Sequence, residues 1–180
     1  MIIRTIVSML RCMMPVTERI KADQKIADAV MARPEWKKAE TICLYMSTLD
    51  EVDTKPLLAA ALTGRKAVVF PRIEDGQLLL HEVRSIKDFT CGAHHILEPK
   101  KSKRIVDPAS VDLFIVPGIA FDWDGYRLGR GKGYYDRLLT GIDAPKTGLA
   151  YAVQMVAQVP HTSYDVPMTM VVTEEEIICR

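Results

Sequence analysis

The sequence predicts an α/β fold: a single three-layer domain with a mostly parallel sheet flanked by helices, plus a hairpin. Three observations point there. Short apolar runs of strand composition alternate with segments of helical periodicity. The runs over 41–46 and 111–116 are nearly continuous in apolar residues, as befits strands covered on both faces. Glu74-Asp75-Gly76 is a tight-turn signal between two strand-like stretches, so one pair is antiparallel.

Taken in order, residues 3–14 set Ile3, Ile6, Val7, Leu10 and Met14 at helical spacing. A second helix over 18–32 follows from Thr17 as N-cap and a buried stripe of Ile20, Ile26, Ala27 and Val30. Arg33-Pro34 stops it. Residues 41–46 form the first strand, 47–53 a polar loop, and 55–63 a Leu/Ala-rich helix closed by Gly64. The second strand, 66–70, is closed by Pro71, and 77–83 form the third. Residues 85–108 are polar and weakly patterned. A buried strand over 111–116 leads into a long glycine-bearing loop, 117–133, and then a helix over 134–139 that Gly141 ends. Residues 146–153 and 168–173 are the last strands, and Glu174-Glu175-Glu176 reads as a solvated tail.

The 180 residues suit one domain, spanning 1–180, large enough to bury a core without disulfides or metal. Lys and Arg number 24 against 23 Asp and Glu, a formal net charge of +1. That balance excludes a strongly basic nucleic-acid coat, an acidic tail protein and a disordered chain. Cys12, Cys43, Cys91 and Cys179 are far apart and form no C-x-x-C pair, so no disulfide framework is expected. Cys91 and His94, beside His95, have a C-x-x-H spacing with no second ligand pair, and a plain loop is the better reading. No apolar run reaches the ~18 residues of a membrane span, so the expectation is a cytoplasmic, soluble protein with no membrane partner, acting as a monomer. The basic run at 100–104 reads as a solvated loop, and without RNP-like aromatics no nucleic-acid partner is expected.

Chemistry concentrates in the loop after the 111–116 strand. Gly129, Gly131 and Gly133 alternate with Arg130 and Lys132, and a helix begins at once. Glycines let backbone approach a ligand closely, and N–H groups at a helix start form an anion nest. Two cations inside such a nest add charge-assisted contacts. The pattern describes a polyphosphate site, with Asp136 placed to meet a magnesium ion bridging phosphates. It is neither a Walker A loop nor a G-x-G-x-x-G turn.

The segment from Arg127 through Leu128, Gly129, Arg130, Gly131, Lys132, Gly133, Tyr134 and Tyr135 to Asp136 closely resembles the signature of the 5-formyltetrahydrofolate cyclo-ligase (methenyltetrahydrofolate synthetase) family. Four further stretches agree in order: Glu51-Val52-Asp53-Thr54, the run from Val116-Pro117-Gly118 to Phe121-Asp122, Gly148-Leu149-Ala150-Tyr151, and Asp165-Val166-Pro167. The family's opening K-x-x-L-R falls with its last two positions on Ile3-Arg4 and its lysine ahead of Met1. Tyr164 stands where the family often has histidine.

The resemblance implies ATP-dependent cyclisation of 5-formyltetrahydrofolate to 5,10-methenyltetrahydrofolate through a phosphorylated imidate. It implies Arg130 and Lys132 as catalytic cations. Arg4, Arg127, Leu128, Gly129, Arg130, Gly131, Lys132, Gly133, Tyr134 and Tyr135 would bind ATP. Met46, Glu51, Arg130, Tyr135 and Tyr151 would bind folate, and Asp136 and Asp165 magnesium. Read as residues alone, the alternatives are a surface arginine for Arg4, a core residue for Met46, ordinary packing for Tyr151, a helix N-terminal charge for Asp136 and a turn residue for Asp165. Trp123 and Tyr126 flank a turn and either form a lid or pack down.

Overall fold

The computed structural model describes residues 2–92, 97–101 and 104–180. His94 and His95 of the C-x-x-H spacing, and Ser102 and Lys103 of the basic run, lie outside the described residues.

In chain order the elements are α1 (Ile2–Met13), α2 (Val16–Ala32), α3 (Pro34–Lys38), β1 (Thr41–Cys43), α4 (Lys55–Thr63), β2 (Ala67–Glu74) and β3 (Gln77–Val83). They continue with β4 (Phe89–Cys91), β5 (Leu97–Pro99), β6 (Ile105–Val106), β7 (Leu113–Val116), β8 (Ala120–Phe121) and β9 (Arg127–Leu128). Last come α5 (Tyr134–Leu139), β10 (Lys146–Leu149), β11 (Met170–Val172) and β12 (Ile177–Cys179). Eight strands form the main sheet in the order β12-β11-β10-β7-β1-β2-β3-β6. Its centre, β2 to β11, is parallel; β3 and β12 run against it, and β6 pairs antiparallel with β3 at the outer edge.

The period-2 alternation of buried strands builds two cores. Ile42, Val68, Leu113 and Ile115 join Ile26, Val30, Leu57 and Ala61 on the α2/α4 face. Cys43, Val69, Phe114 and Val116 meet Leu138 and Leu139 of α5 on the other. This is the expected three-layer α/β arrangement with its appended hairpin. The hairpin turn has Asp75 and Gly76 both at positive φ, 46° and 78°, the backbone that matches the twist of two paired strands.

Several local expectations are corrected. Pro71 does not close β2. Beyond Val69 that strand leaves β1 and pairs with β3 alone, where proline's missing N–H costs no central ladder bond. Arg33-Pro34 ends α2, yet Pro34 opens α3, its missing N–H falling among groups that a helix start leaves unpaired. The second helix starts at Val16 with Pro15, not Thr17, at its N-cap, and Ile20 is 62% exposed. Three short strands, β4 to β6, lie within 85–108, and the 117–133 loop holds the β8–β9 hairpin. Residues 174–176 are a turn, not a tail: Thr173 Oγ1 accepts from the Glu175 and Glu176 amides, Glu174 accepts from the Ala152 amide, and the chain returns as β12.

Helix α1 differs most. Of its expected apolar stripe only Val7 is buried, while Ile2, Ile6, Met9 and Met13 face outward. Arg4 and Arg11, seven residues apart and so on one face, point inward with it: Arg11 is only 3% exposed and Arg4 reaches the Gly129 carbonyl. Among the described residues no helix is long and apolar enough to cross a membrane.

Gly148 sits directly against Phe121, and a β-carbon there would lie 2.4 Å from the ring. Phe121 is fully buried and has nowhere to retreat. Gly148→Ala should therefore destabilise the fold by about 1–3 kcal/mol, read as a lowered thermal midpoint with an unchanged far-ultraviolet spectrum.

Candidate functional site

In open parallel sheets the crevice lies where neighbouring strands send their connections to opposite sides. Here those strands are β1, which continues to β2 on one side, and β7, whose chain continues to β10 on the other. The loop after β1 carries Glu51 and the loop after β7 carries the glycine-rich turn. Between them opens a cavity of about 720 Å³.

The glycine loop forms one wall. Gly131 and Gly133 have φ of 91° and 62°, conformations that side chains resist. Arginines also come close: a β-carbon at Gly129 would lie 2.9 Å from Arg127 Nη1, too near without a shift of that side chain, and one at Gly131 would touch Arg4 Nη2 at 3.4 Å. The loop thus lets arginines press against bare backbone. Arg4 Nε donates to the Gly129 carbonyl at 2.9 Å, so α1 is docked on the loop.

Each guanidinium at the site has a counterpart. Arg127, with a side chain only 5% exposed, donates to both carboxylate oxygens of Asp136 at 3.2 and 3.1 Å and lies over the Tyr135 ring. Arg130, largely exposed, reaches Glu51 Oε1 at 3.4 Å. The other Glu51 oxygen accepts from the Thr48 amide at 3.0 Å. Lys132, Gly133, Tyr134 and Asp165 also line the cavity, as does Leu128. Asp165 accepts from the amide and hydroxyl of Thr162, and the neighbouring Val166 amide donates to Asp136 Oδ1 at 3.3 Å. The two aspartates expected to hold magnesium are therefore on one wall, linked by a single peptide.

Two residues expected at the folate are placed away from the cavity lining. Tyr151 is wholly buried beneath the cavity. Its hydroxyl donates to Asp23 Oδ1 at 2.7 Å and stands 3.3 Å from the Glu51 carbonyl. Met46 is partly buried against the α2/α4 core. Neither is among the residues lining the cavity. Tyr126 packs down, stacked on His161 with ring centroids 3.5 Å apart, while Trp123 stays half exposed.

Residues outside the sequence expectations shape the walls. Gln154, fully buried, donates to the Gly118 and Ile119 carbonyls at 2.9 and 3.0 Å and fixes the segment below the cavity. Asp122, also buried, accepts from the Asp124, Tyr126 and Val159 amides and ties down the loop's base. Arg11 ion-pairs with Asp50 in the Glu51 loop. The seven-residue spacing of Arg4 and Arg11 was the one signal in the sequence for that last contact.

Fold and site together define a three-layer α/β protein with a highly charged, small-molecule-sized cavity at the carboxyl edge of its sheet. A model of the 5-formyltetrahydrofolate cyclo-ligase family matches residues 2–174. The 5-formyltetrahydrofolate cyclo-ligase of Escherichia coli (strain K12) is 34% identical over 161 residues, which span 86% of this chain and 88% of that one. Its Haemophilus influenzae counterpart is 31% identical over 173 residues, 92% of each chain. The NMR structure of Aquifex aeolicus 5,10-methenyltetrahydrofolate synthetase has a TM-score of 0.88 and 36% identity, over 98% of this chain and 90% of that one. The chain belongs to the 5-formyltetrahydrofolate cyclo-ligase family and is an enzyme of that class.

Burial raises the Asp23 carboxyl above its ordinary 3.8, against the bonds from Tyr151 and the Asp53 amide that favour the carboxylate. A raised acid is a liability at neutral pH: the stability it contributes is full below 3.8 and lost as pH rises through the higher native value. Asp23→Asn retains an Oδ1 acceptor for both partners and removes the charge. Its thermal midpoint at pH 7 should exceed the parent's, and the gain should shrink as pH falls toward 4, about the ordinary range of an aspartate.

Proposed function

We propose that the chain converts 5-formyltetrahydrofolate to 5,10-methenyltetrahydrofolate with ATP as co-substrate, releasing ADP and phosphate. The observation that supports this most is the continuity of one cavity from Glu51, through Arg130, to the glycine loop. A folate held at Glu51 and a triphosphate held at the loop would meet at Arg130.

The chemistry requires such a meeting. The formyl group on N5 is an amide, with a weakly electrophilic carbon and a poor leaving group. Its oxygen attacks the γ-phosphorus, the bond to the ADP oxygen breaks, and an imidate phosphate results. N10 then attacks the formyl carbon and loses its proton, the carbon–oxygen bond breaks, and phosphate departs with the electron pair. The protein's share is positioning and charge stabilisation.

In this reading the Gly129, Gly131 and Gly133 backbone cradles phosphates, with Leu128 and Tyr134 completing the wall. Arg4, Arg127 and Lys132 oppose the phosphate charge. Arg130 exchanges Glu51 for the oxygens that gain charge as the phosphoryl group moves. Glu51 accepts N–H groups of the pterin, and Tyr135 offers a flat face. Hard carboxylates beside a phosphate cradle suit magnesium, which takes one or two carboxylates and leaves its other positions to phosphate and water. Asp136 and Asp165 would hold it, and when bound it neutralises phosphate oxygens. Met46 and Tyr151 are assigned to support of the loop and core in place of ring contacts.

Near-ultraviolet absorbance of the methenyl product, followed with and without ATP, tests the reading. An absent ATP-dependent rise would sink it. Arg130→Ala should lower kcat by about 10²–10³ with an unchanged melting temperature. Arg4→Ala should act chiefly on the KM for ATP, and an effect confined to the folate KM would remove Arg4 from the nucleotide end.

A further inference from the structure

The Glu51 loop is held from below by the N-terminal helices. Arg11, buried on α1, pairs with the Asp50 carboxylate. Arg19, on α2, donates to the Leu49 carbonyl and also to the Arg11 and Met14 carbonyls, locking the elbow between the two helices. Asp50 takes a second bond at 2.7 Å from the Thr48 hydroxyl, and Thr48 in turn donates its amide to Glu51. The chain of contacts runs Arg11, Asp50, Thr48, Glu51, Arg130. At its other end α1 holds the Gly129 carbonyl through Arg4.

We propose that Arg11 is a positioning residue for the folate end of the site, acting through its ion pair with Asp50 to set Glu51 opposite Arg130. The inference rests on the folate reading of Glu51 given above. A buried guanidinium is expensive to leave unpaired, so the pair selects the one loop conformation that satisfies it. Burial works against the Asp50 carboxylate, but the Thr48 hydroxyl and the Arg11 charge outweigh it and hold the group below the usual carboxylate range. The pair therefore persists throughout the neutral range.

The test uses the full chain with Asp50→Asn, Arg11→Met, Arg11→Lys and the Asp50→Asn/Arg11→Met double variant. Two readouts are taken: the KM values for 5-formyltetrahydrofolate and ATP, and amide hydrogen exchange of the 47–53 loop. The single neutralising variants should raise the folate KM about 2- to 30-fold and leave the ATP KM within about twofold. The Thr48 and Glu51 amides should exchange faster. The double variant should be no worse than the worse single, as for two residues acting as one unit, and Arg11→Lys should recover part of the loss. Asp50 lies in a loop, so Asp50→Asn decides the matter if Arg11→Met fails to fold. An unchanged folate KM in folded Asp50→Asn, or equal rises in both KM values, overturns the proposal. If the parent chain shows no turnover, the folate reading itself has failed. Hydrogen exchange still tests the clamp in that case: unaltered protection in Asp50→Asn overturns it independently of the reaction.

Discussion

Like charges crowded round one short loop repel, and the carboxyl edge of this sheet is organised around that fact. Arg4, Arg127, Arg130 and Lys132 all line one cavity. In water such a cluster would disperse. Here three of the four are held by fixed oxygens: Arg4 by a backbone carbonyl, Arg127 by both oxygens of Asp136, and Arg130 by Glu51. The net charge of +1 expresses the same balance over the whole chain. It conceals a pocket dense in charge, where Arg4, Arg127, Arg130 and Lys132 share the lining with Glu51, Glu98, Asp136 and Asp165.

The three partners are not equivalent. Arg127 has a buried side chain, shares its Nη2 between both Asp136 oxygens and lies over a tyrosine ring, so it is a fixed part of the wall. Arg4 contacts a neutral carbonyl and keeps its full charge. Arg130 is the most exposed, and its 3.4 Å contact with Glu51 is the longest of the group. An exposed pair of that geometry is worth little and is readily exchanged for a phosphate. The gradient from fixed to exchangeable follows the cavity from the glycine loop to Glu51, the direction in which a reacting group would have to be passed.

The central parallel strands were legible in the sequence because fully buried strands are written as apolar runs, and the glycine loop because alternating glycines and cations before a helix have few other uses. The short strands β4 to β6 and β8–β9 were not. Two- and three-residue strands carry too little periodicity to stand out from polar loop. Tyr151 illustrates a different limit. Its place after a buried strand put it near the site, but strand alternation did not say whether the ring would face a ligand or the core. The hydroxyl bond to Asp23, 128 residues away, fixes where the ring lies, and no local pattern contains it.

Helix α1 carries the same lesson further. Its periodicity is plainly amphipathic, and the usual rule turns the apolar face inward. The rule assumes that burial of apolar surface is the strongest demand on the helix. Here the inner neighbours are a backbone carbonyl at Gly129 and a carboxylate at Asp50, and these accept arginines. Those acceptors leave the inner face no apolar partner at these positions, so Arg4 and Arg11 turn in and Ile2, Ile6, Met9 and Met13 turn out. The helix spends its polar face on the two loops of the site. Its position is therefore set by the site's electrostatics, and the two loops, remote in sequence, are joined through one rigid element.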